Sequence, residues 1–338
     1  MYLNFFGLKE QPFGVTPDPR FLYLSEAHKE ALASLYYGIE ANRGFIGLIA
    51  RPGMGKTTML FHLLESFRSS ACIAFLFQTH CNSREFMRLL LADLGSEEDT
   101  QDLVRMYDQF NRRLLQIARE GNRLIVVVDE AQNLDSEVLE TLRLLSNFET
   151  SQAKLMHIIL AGQPALAKKL ASPRLTQLRQ RVSIVQGLAP LPGWEVKNYV
   201  EHRLRIAGYK GNPIFTSDVY ETMASYTEGI PRNVNNFCFN ALSLACALRK
   251  KVVDAEVVKE VISDLDLQKL THEFSSEEEA AEAQFSQFQG TSISPSEPER
   301  YREISNAAEA AAYMQQVALK LRSWRDSMEK TPGGARRS

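Results

Sequence analysis

Lys56 and Thr57 sit near the end of the run ARPGMGKTT, Ala50 to Thr58, and two carboxylates, Asp129 and Glu130, close the run LIVVVDE further along the chain. An ammonium, a hydroxyl and two carboxylates are the side chains that phosphoryl transfer to water requires. They supply a cation for phosphate, oxygen ligands for Mg²⁺ and a base for the attacking water. Gly53 and Gly55 leave the intervening backbone free to approach an anion closely.

The elements that position these groups are legible on either side. Pro52, Gly53, Met54, Gly55, Lys56, Thr57 and Thr58 lie between an apolar run, Phe45 to Ile49, and an amphipathic run, Met59 to Phe67. A strand that passes through a Gly-rich turn into a helix aims a row of backbone N–H groups at bound phosphate. In such a loop Lys56 reaches the β- and γ-phosphates and Thr57 ligates Mg²⁺. Leu124 to Val128 form a short β-branched run of the kind that is buried on both faces of a parallel sheet. It delivers Asp129 to the Mg²⁺ water shell and Glu130 to the attacking water. One position departs from the pattern G-x-x-x-x-G-K-[ST]: residue 50 is Ala. If the turn there needs φ > 0, the Cβ costs about 1 kcal/mol and weakens binding at most.

Composition narrows the class. The 338 residues are 44% apolar with a net charge of −2, ordinary for a globular protein of two packed units and a tail. Cys72, Cys81, Cys238 and Cys246 show no metal-ligand spacing, so reduced thiols are expected. No long apolar run and no basic-then-apolar leader is present, which predicts neither a membrane span nor a signal peptide, and a cytoplasmic location. The totals show no strongly basic surface of the duplex-binding kind. One local cluster, Lys168, Lys169, Arg174, Arg179 and Arg181, serves equally as a solvated helix face or as a contact surface.

Along the chain, residues 1–44 are an aromatic, Pro-rich segment followed by a helix from about Glu26 to Glu40, expected to be part of the nucleotide-binding core. Residues 45–191 alternate strands, at 45–49, 72–78, 124–129, 155–161 and 182–188, with helices. That pattern predicts an α/β fold, a parallel sheet with helices on both faces. Residues 192–270 read as helices only, a small lid domain, with Gly229, Ile230 and Pro231 starting its third helix sharply. Residues 271–300 form an acidic linker without the apolar content to fold, and 329–338 a flexible tail. Between them, 301–328 carry an apolar stripe through Ala307, Ala310, Met314, Val317, Leu321, Trp324 and Met328, a helix suited to docking on a protein partner.

The opening FFGL, the box TPDPRFLYLSEAH, DEAQNL, the turn AGQP at Ala161 to Pro164, LRQRV at Leu178 to Val182 and EGIPRNVN at Glu228 to Asn235 resemble the general secretion pathway A-component (ExeA-like) ATPases, a branch of the AAA+ superfamily related to transposition regulators. The resemblance runs from Met1 to about Leu270 and implies an AAA+ P-loop NTPase core with a helical lid, using ATP and Mg²⁺. It implies Gln163 as the sensor that reads the γ-phosphate, Arg232 as the lid's sensor, and Arg179 or Arg181 as an arginine finger reaching a neighbour's nucleotide. Hydrolysis then depends on a homo-oligomer, a ring or a filament. Such ATPases often continue into a transmembrane helix and a peptidoglycan-binding module. Neither is in this sequence, so direct gripping of the cell wall is not expected and tethering through 301–328 is. Two functions follow: an ATPase that assembles or remodels a cell-envelope machine of secretion, pilus or exopolysaccharide type, or an ATP-dependent regulator on duplex DNA. The second would draw on the basic cluster or on Arg112 and Arg113.

Overall fold

Five apolar runs form one sheet because each has enough β-branched and aromatic content to be buried between helical layers. They are β1 (Phe45–Ile49), β2 (Ala71–Leu76), β3 (Arg123–Val128), β4 (Met156–Gly162) and β5 (Val182–Gly187). The computed structural model describes residues 2–77, 80–96, 100–148 and 154–266. The expected linker 271–300, helix 301–328 and tail 329–338 lie outside the described residues. All strand pairs are parallel, in the order β2-β3-β4-β1-β5. The second strand is shorter than the sequence suggests: it ends at Leu76, before Phe77.

Helices α1 (Tyr2–Phe6) and α2 (Glu26–Glu40) precede the sheet. Between strands come α3 (Lys56–Glu65), α4 (Ser83–Asp93), α5 (Leu103–Arg119), α6 (Ser136–Leu145), α7 (Pro164–Leu170) and α8 (Thr176–Arg181). Alternation along β3 assigns the faces. Leu124, Val126 and Val128 join a core with Leu90, Phe110, Leu114, Leu139 and Leu142 of α4, α5 and α6. Ile125 and Val127, also fully buried, point the other way. On that second face α2 lies so close that a Cβ on Gly38 would come within 2.7 Å of Ile46 Cδ1.

The remaining helices, α9 (Gly193–Ile206), α10 (Val219–Thr227), α11 (Pro231–Ala247) and α12 over 255–266, gather around a separate core. Tyr2, Phe6, Leu8, Phe13 and Phe21 belong to that core, beside Val196, Val200, Phe237 and Leu242. The opening aromatic segment therefore packs with these C-terminal helices, whereas the sequence suggested the nucleotide-binding core as its home. Each buried Phe contributes roughly 2–3 kcal/mol to that association. Polar contacts fix its path: Lys9 N donates to Ala207 O at 2.8 Å and Arg203 Nε to Pro12 O at 2.6 Å. Helix α2, by contrast, lies against the sheet at β1 and β5. At the lid's entry, a Cβ on Gly229 would fall 2.0 Å from Leu191 O, so glycine alone allows that approach.

One core residue breaks the apolar pattern. His157 on β4 is fully buried, and neither ring nitrogen has a hydrogen-bond partner. Burial, aided by the charges of Arg123 and Lys154, lowers its pKa from 6.5 to about 4. The unfolded chain then takes up a proton that the folded chain refuses. Stability is complete above the unfolded value and falls as pH drops toward the folded one, by about 3 kcal/mol in all. His157→Leu should flatten this acid limb in denaturant titrations run between pH 7 and pH 4; an unchanged slope would refute the assignment.

Candidate active site

Strand order decides where the chemistry sits. β4 lies between β1 and β3, so the loops leaving the C-terminal ends of all three are neighbours, at the point where successive connections diverge across the sheet. Those loops carry the phosphate-binding run, the two carboxylates and Gln163.

The loop after β1 places its positive φ angles at Gly53 (80°) and Gly55 (84°), and Gly55 is the N-cap of α3. Ala50 is not among the residues with positive φ. Its side chain is buried and its N–H donates to Gly162 O at 3.0 Å. The turn out of β1 accepts a Cβ without strain, because the left-handed positions fall later in the loop. The expected penalty at residue 50 does not arise. Gly53 is needed for a second reason: a Cβ there would meet Arg232 Cβ at 2.7 Å, and Arg232 N donates to Gly53 O at 3.1 Å. The phosphate loop thus rests directly on the first turn of α11.

Lys56 is buried, and its ammonium donates to Ala50 O at 3.3 Å, across the mouth of the loop. Thr57 Oγ1 donates to Asp129 Oδ2 at 2.5 Å, joining the start of α3 to the end of β3. Burial pushes the Asp129 carboxyl above the ordinary carboxylate range; the bonds from Thr57 and from the Glu130 amide pull it back. Hydroxyl and carboxylate oxygens side by side suit Mg²⁺, which binds few protein ligands and completes its shell with water and substrate phosphates. Among the described residues no cluster of three or more His, Cys, Asp or Glu could hold a metal ion.

Glu130 has a left-handed backbone, φ 52° and ψ 36°. Gln132 Nε2 and Gln163 Nε2 both donate to its Oε2, at 2.6 and 3.1 Å. His28, absent from the sequence expectations, stands behind the phosphate loop. Its Nε2 lies 3.2 Å from Met54 O and its Nδ1 2.6 Å from Ser25 Oγ. A carbonyl can only accept, so Nε2 carries the proton. Burial lowers the imidazole's pKa, which keeps the ring neutral and this pairing intact.

The loop opens on a cleft of about 340 Å³ lined by Pro52 to Thr58, Glu130, Gln163 and Arg232. Its far end is formed by Gly14 to Asp18, Tyr199, Arg203, Asn235 and Asn236. Arg203 lies over the rings of Phe21 (5.0 Å) and Tyr199 (5.7 Å), and Tyr199 OH donates to Asn235 Oδ1 at 2.8 Å. Of the expected residues, Pro52 to Thr58, Asp129, Glu130, Gln163 and Arg232 converge. Arg179 and Arg181 are not in the cleft lining. The two also differ from each other: Arg181 Nη1 donates to Ser146 Oγ at 3.0 Å, whereas Arg179 is exposed. In the basic cluster, Lys169 Nζ is taken up by Gln132 O and Leu134 O.

The AAA domain family matches residues 39–170, the stretch that contains both loops and both carboxylates. General secretion pathway protein A of Aeromonas hydrophila is 40% identical over 248 residues, covering 73% of this chain and 45% of that protein. Residues 39–170 are thus an AAA domain. The chain spans about half the length of this relative. Its fold also matches solved structures: the ORC2 protein of Aeropyrum pernix as ADPNP–ADP complexes, TM-score 0.59 at 17% identity over 75% of this chain and 71% of that one. Cdc6p of Pyrobaculum aerophilum gives 0.58 at 15% identity, over 74% and 69%. At such identities the likeness concerns the fold, an AAA+ sheet with a helical part after it. Among the described residues no helix is long and apolar enough to cross a membrane.

Two substitutions test the phosphate loop. Lys56→Ala should abolish Mg–ATP binding in calorimetry, since its buried ammonium lies across the loop's mouth. Ala50→Gly should leave affinity unchanged and lower stability by about 0.5–1 kcal/mol through the unfolded state. A gain in affinity would mean that Ala50 does strain the loop.

Proposed function

We propose that the protein binds Mg–ATP in this cleft and hydrolyses it to ADP and phosphate, in an assembly of identical chains. The observation that carries the reading is the convergence of Lys56, the Thr57–Asp129 pair and the Glu130–Gln163 pair at three adjacent strand ends. Backbone N–H groups of Gly53 to Thr57 would take the phosphate oxygens, and Lys56 would exchange the Ala50 carbonyl for the β- and γ-phosphates. Thr57 and, through water, Asp129 would hold Mg²⁺, which supplies charge neutralisation when bound. Glu130, with Oε2 held by two amides, keeps Oε1 available to orient the attacking water and take its proton. Gln163 touches both this carboxylate and the loop that starts α7, so it is placed to report the γ-phosphate. Arg232, seated on Gly53, would carry that state to the lid.

Arg179 is the better candidate for a finger in trans. It is exposed on α8, while the guanidinium of Arg181 is engaged within its own chain. An arginine supplied by a neighbour makes turnover a property of the assembly. Identity to general secretion pathway protein A supports a role in assembling or remodelling a cell-envelope machine from the cytoplasmic side. The duplex-DNA reading loses support: Lys169 and Arg181 are committed to intrachain bonds, and Arg113 Nε donates to Leu94 O at 3.1 Å.

Glu130→Gln should retain ATP, enlarge the assembly and slow turnover by roughly 10²–10⁴-fold. Arg179→Ala should slow it by roughly 10³-fold or more while binding nucleotide normally, and Arg181→Ala should not. Mixing Arg179→Ala with Glu130→Gln chains should restore activity at mixed interfaces. Failure of the mixture to recover would place the finger elsewhere.

A further inference from the structure

Gln132 follows the acidic pair by two residues, and its side chain makes two directed contacts in the site. Its Nε2 donates to Glu130 Oε2 at 2.6 Å, and its Oε1 accepts the N–H of Gln163 at 3.0 Å. Its backbone carbonyl accepts from Lys169 Nζ, which also reaches Leu134 O at 2.7 Å. The short 3₁₀ turn Ala131–Asn133 is thereby pinned to α7 at one end and carries Glu130 at the other. The backbone has been cleared for this contact: a Cβ on Gly162 would stand 2.8 Å from Gln132 Oε1.

Glu130 needs such a restraint. A non-glycine residue in the left-handed region persists only where its surroundings hold it. Its carboxylate is half-buried and could otherwise rotate away from the cleft. Two amides on one oxygen leave the other oxygen as the free acceptor. Of the two donors, Gln132 is the shorter contact, and it alone also binds the backbone of the loop that presents Gln163.

We propose that Gln132 is the positioning residue of the hydrolytic site: it sets the rotamer of Glu130 and ties that carboxylate to the Gln163 loop, so that the base is aligned only when that loop is in place. This rests on the ATPase reading above. Gln132 does not itself line the cleft and reaches it through Glu130 and Gln163, so its loss should act on the chemical step and spare nucleotide affinity.

The test is steady-state hydrolysis by the full chain at saturating chain concentration, with melting temperature measured alongside. Gln132→Met keeps the side chain's length and removes both polar atoms. Gln132→Glu keeps the acceptor for Gln163 N–H and removes the donor to Glu130. Both should lower kcat about tenfold or more and leave KM for Mg–ATP within about twofold. In a Glu130→Gln background, single-turnover rates should show no further loss on adding Gln132→Met, because the residue acts through the carboxylate. A normal kcat in Gln132→Met would overturn the proposal, as would a loss fully additive with Glu130→Gln, or a loss accounted for by a lowered melting temperature in both variants. If Glu130→Gln itself turns over normally, or the wild-type chain never turns over, the parent reading fails and this one with it. If Glu130→Gln is inactive and Gln132→Met is not, only the role of Gln132 fails.

Discussion

A buried carboxylate has to be compensated, and the way Asp129 is compensated organises the rest of this molecule. It is 3% exposed at the end of β3, and its partners are a hydroxyl from the first turn of α3 and the next residue's amide. Lys56, equally enclosed, brings the opposite charge within range. Such a set is costly in an apolar interior and becomes worthwhile where anion and cation are to be bound. The sheet, with β4 between β1 and β3, brings these residues to neighbouring strand ends. Gly53, Gly55 and Gly162 then clear the backbone for the contacts that follow.

The lid is joined to this centre from two directions. On one side the phosphate loop touches α11 through Gly53 and Arg232, and Arg51 reaches Glu228 at 3.0 Å as an exposed, weak ion pair. On the other side the aromatic opening of the chain is buried among lid helices and passes along the cleft from Gly14 to Asp18 before α2 begins. Tyr23 OH donates to Glu195 Oε1 at 3.1 Å on the way, and His28 then reaches Met54 O. A ligand in the cleft would therefore contact the phosphate loop, the lid and the opening segment together.

Strands were legible because a run such as LIVVV has no solvated face, and the two reactive loops because their chemistry depends on local spacing. Boundaries were less so: the second strand stops at Leu76, where side-chain alternation no longer has a partner strand to follow. Residue 50 shows the limit of motif reading. A pattern records which residue is usual, while the backbone angle decides whether it is necessary. Gln132, His28 and the distinction between Arg179 and Arg181 rest on contacts between residues far apart in sequence, which no spacing rule contains. The lid packing of Phe6 and Phe13 was hidden for the same reason: an aromatic run declares that it will be buried, and leaves open against what.

Turnover that depends on a neighbour's arginine is the central claim, and dilution tests it most directly. ATP hydrolysis per chain should be measured across chain concentration, without DNA and with duplex DNA, while light scattering follows particle mass. The rate per chain is expected to rise steeply with concentration, in step with assembly and without DNA. A rate per chain that stays constant down to the monomer would contradict the shared site, and turnover seen only with DNA would contradict the envelope assignment.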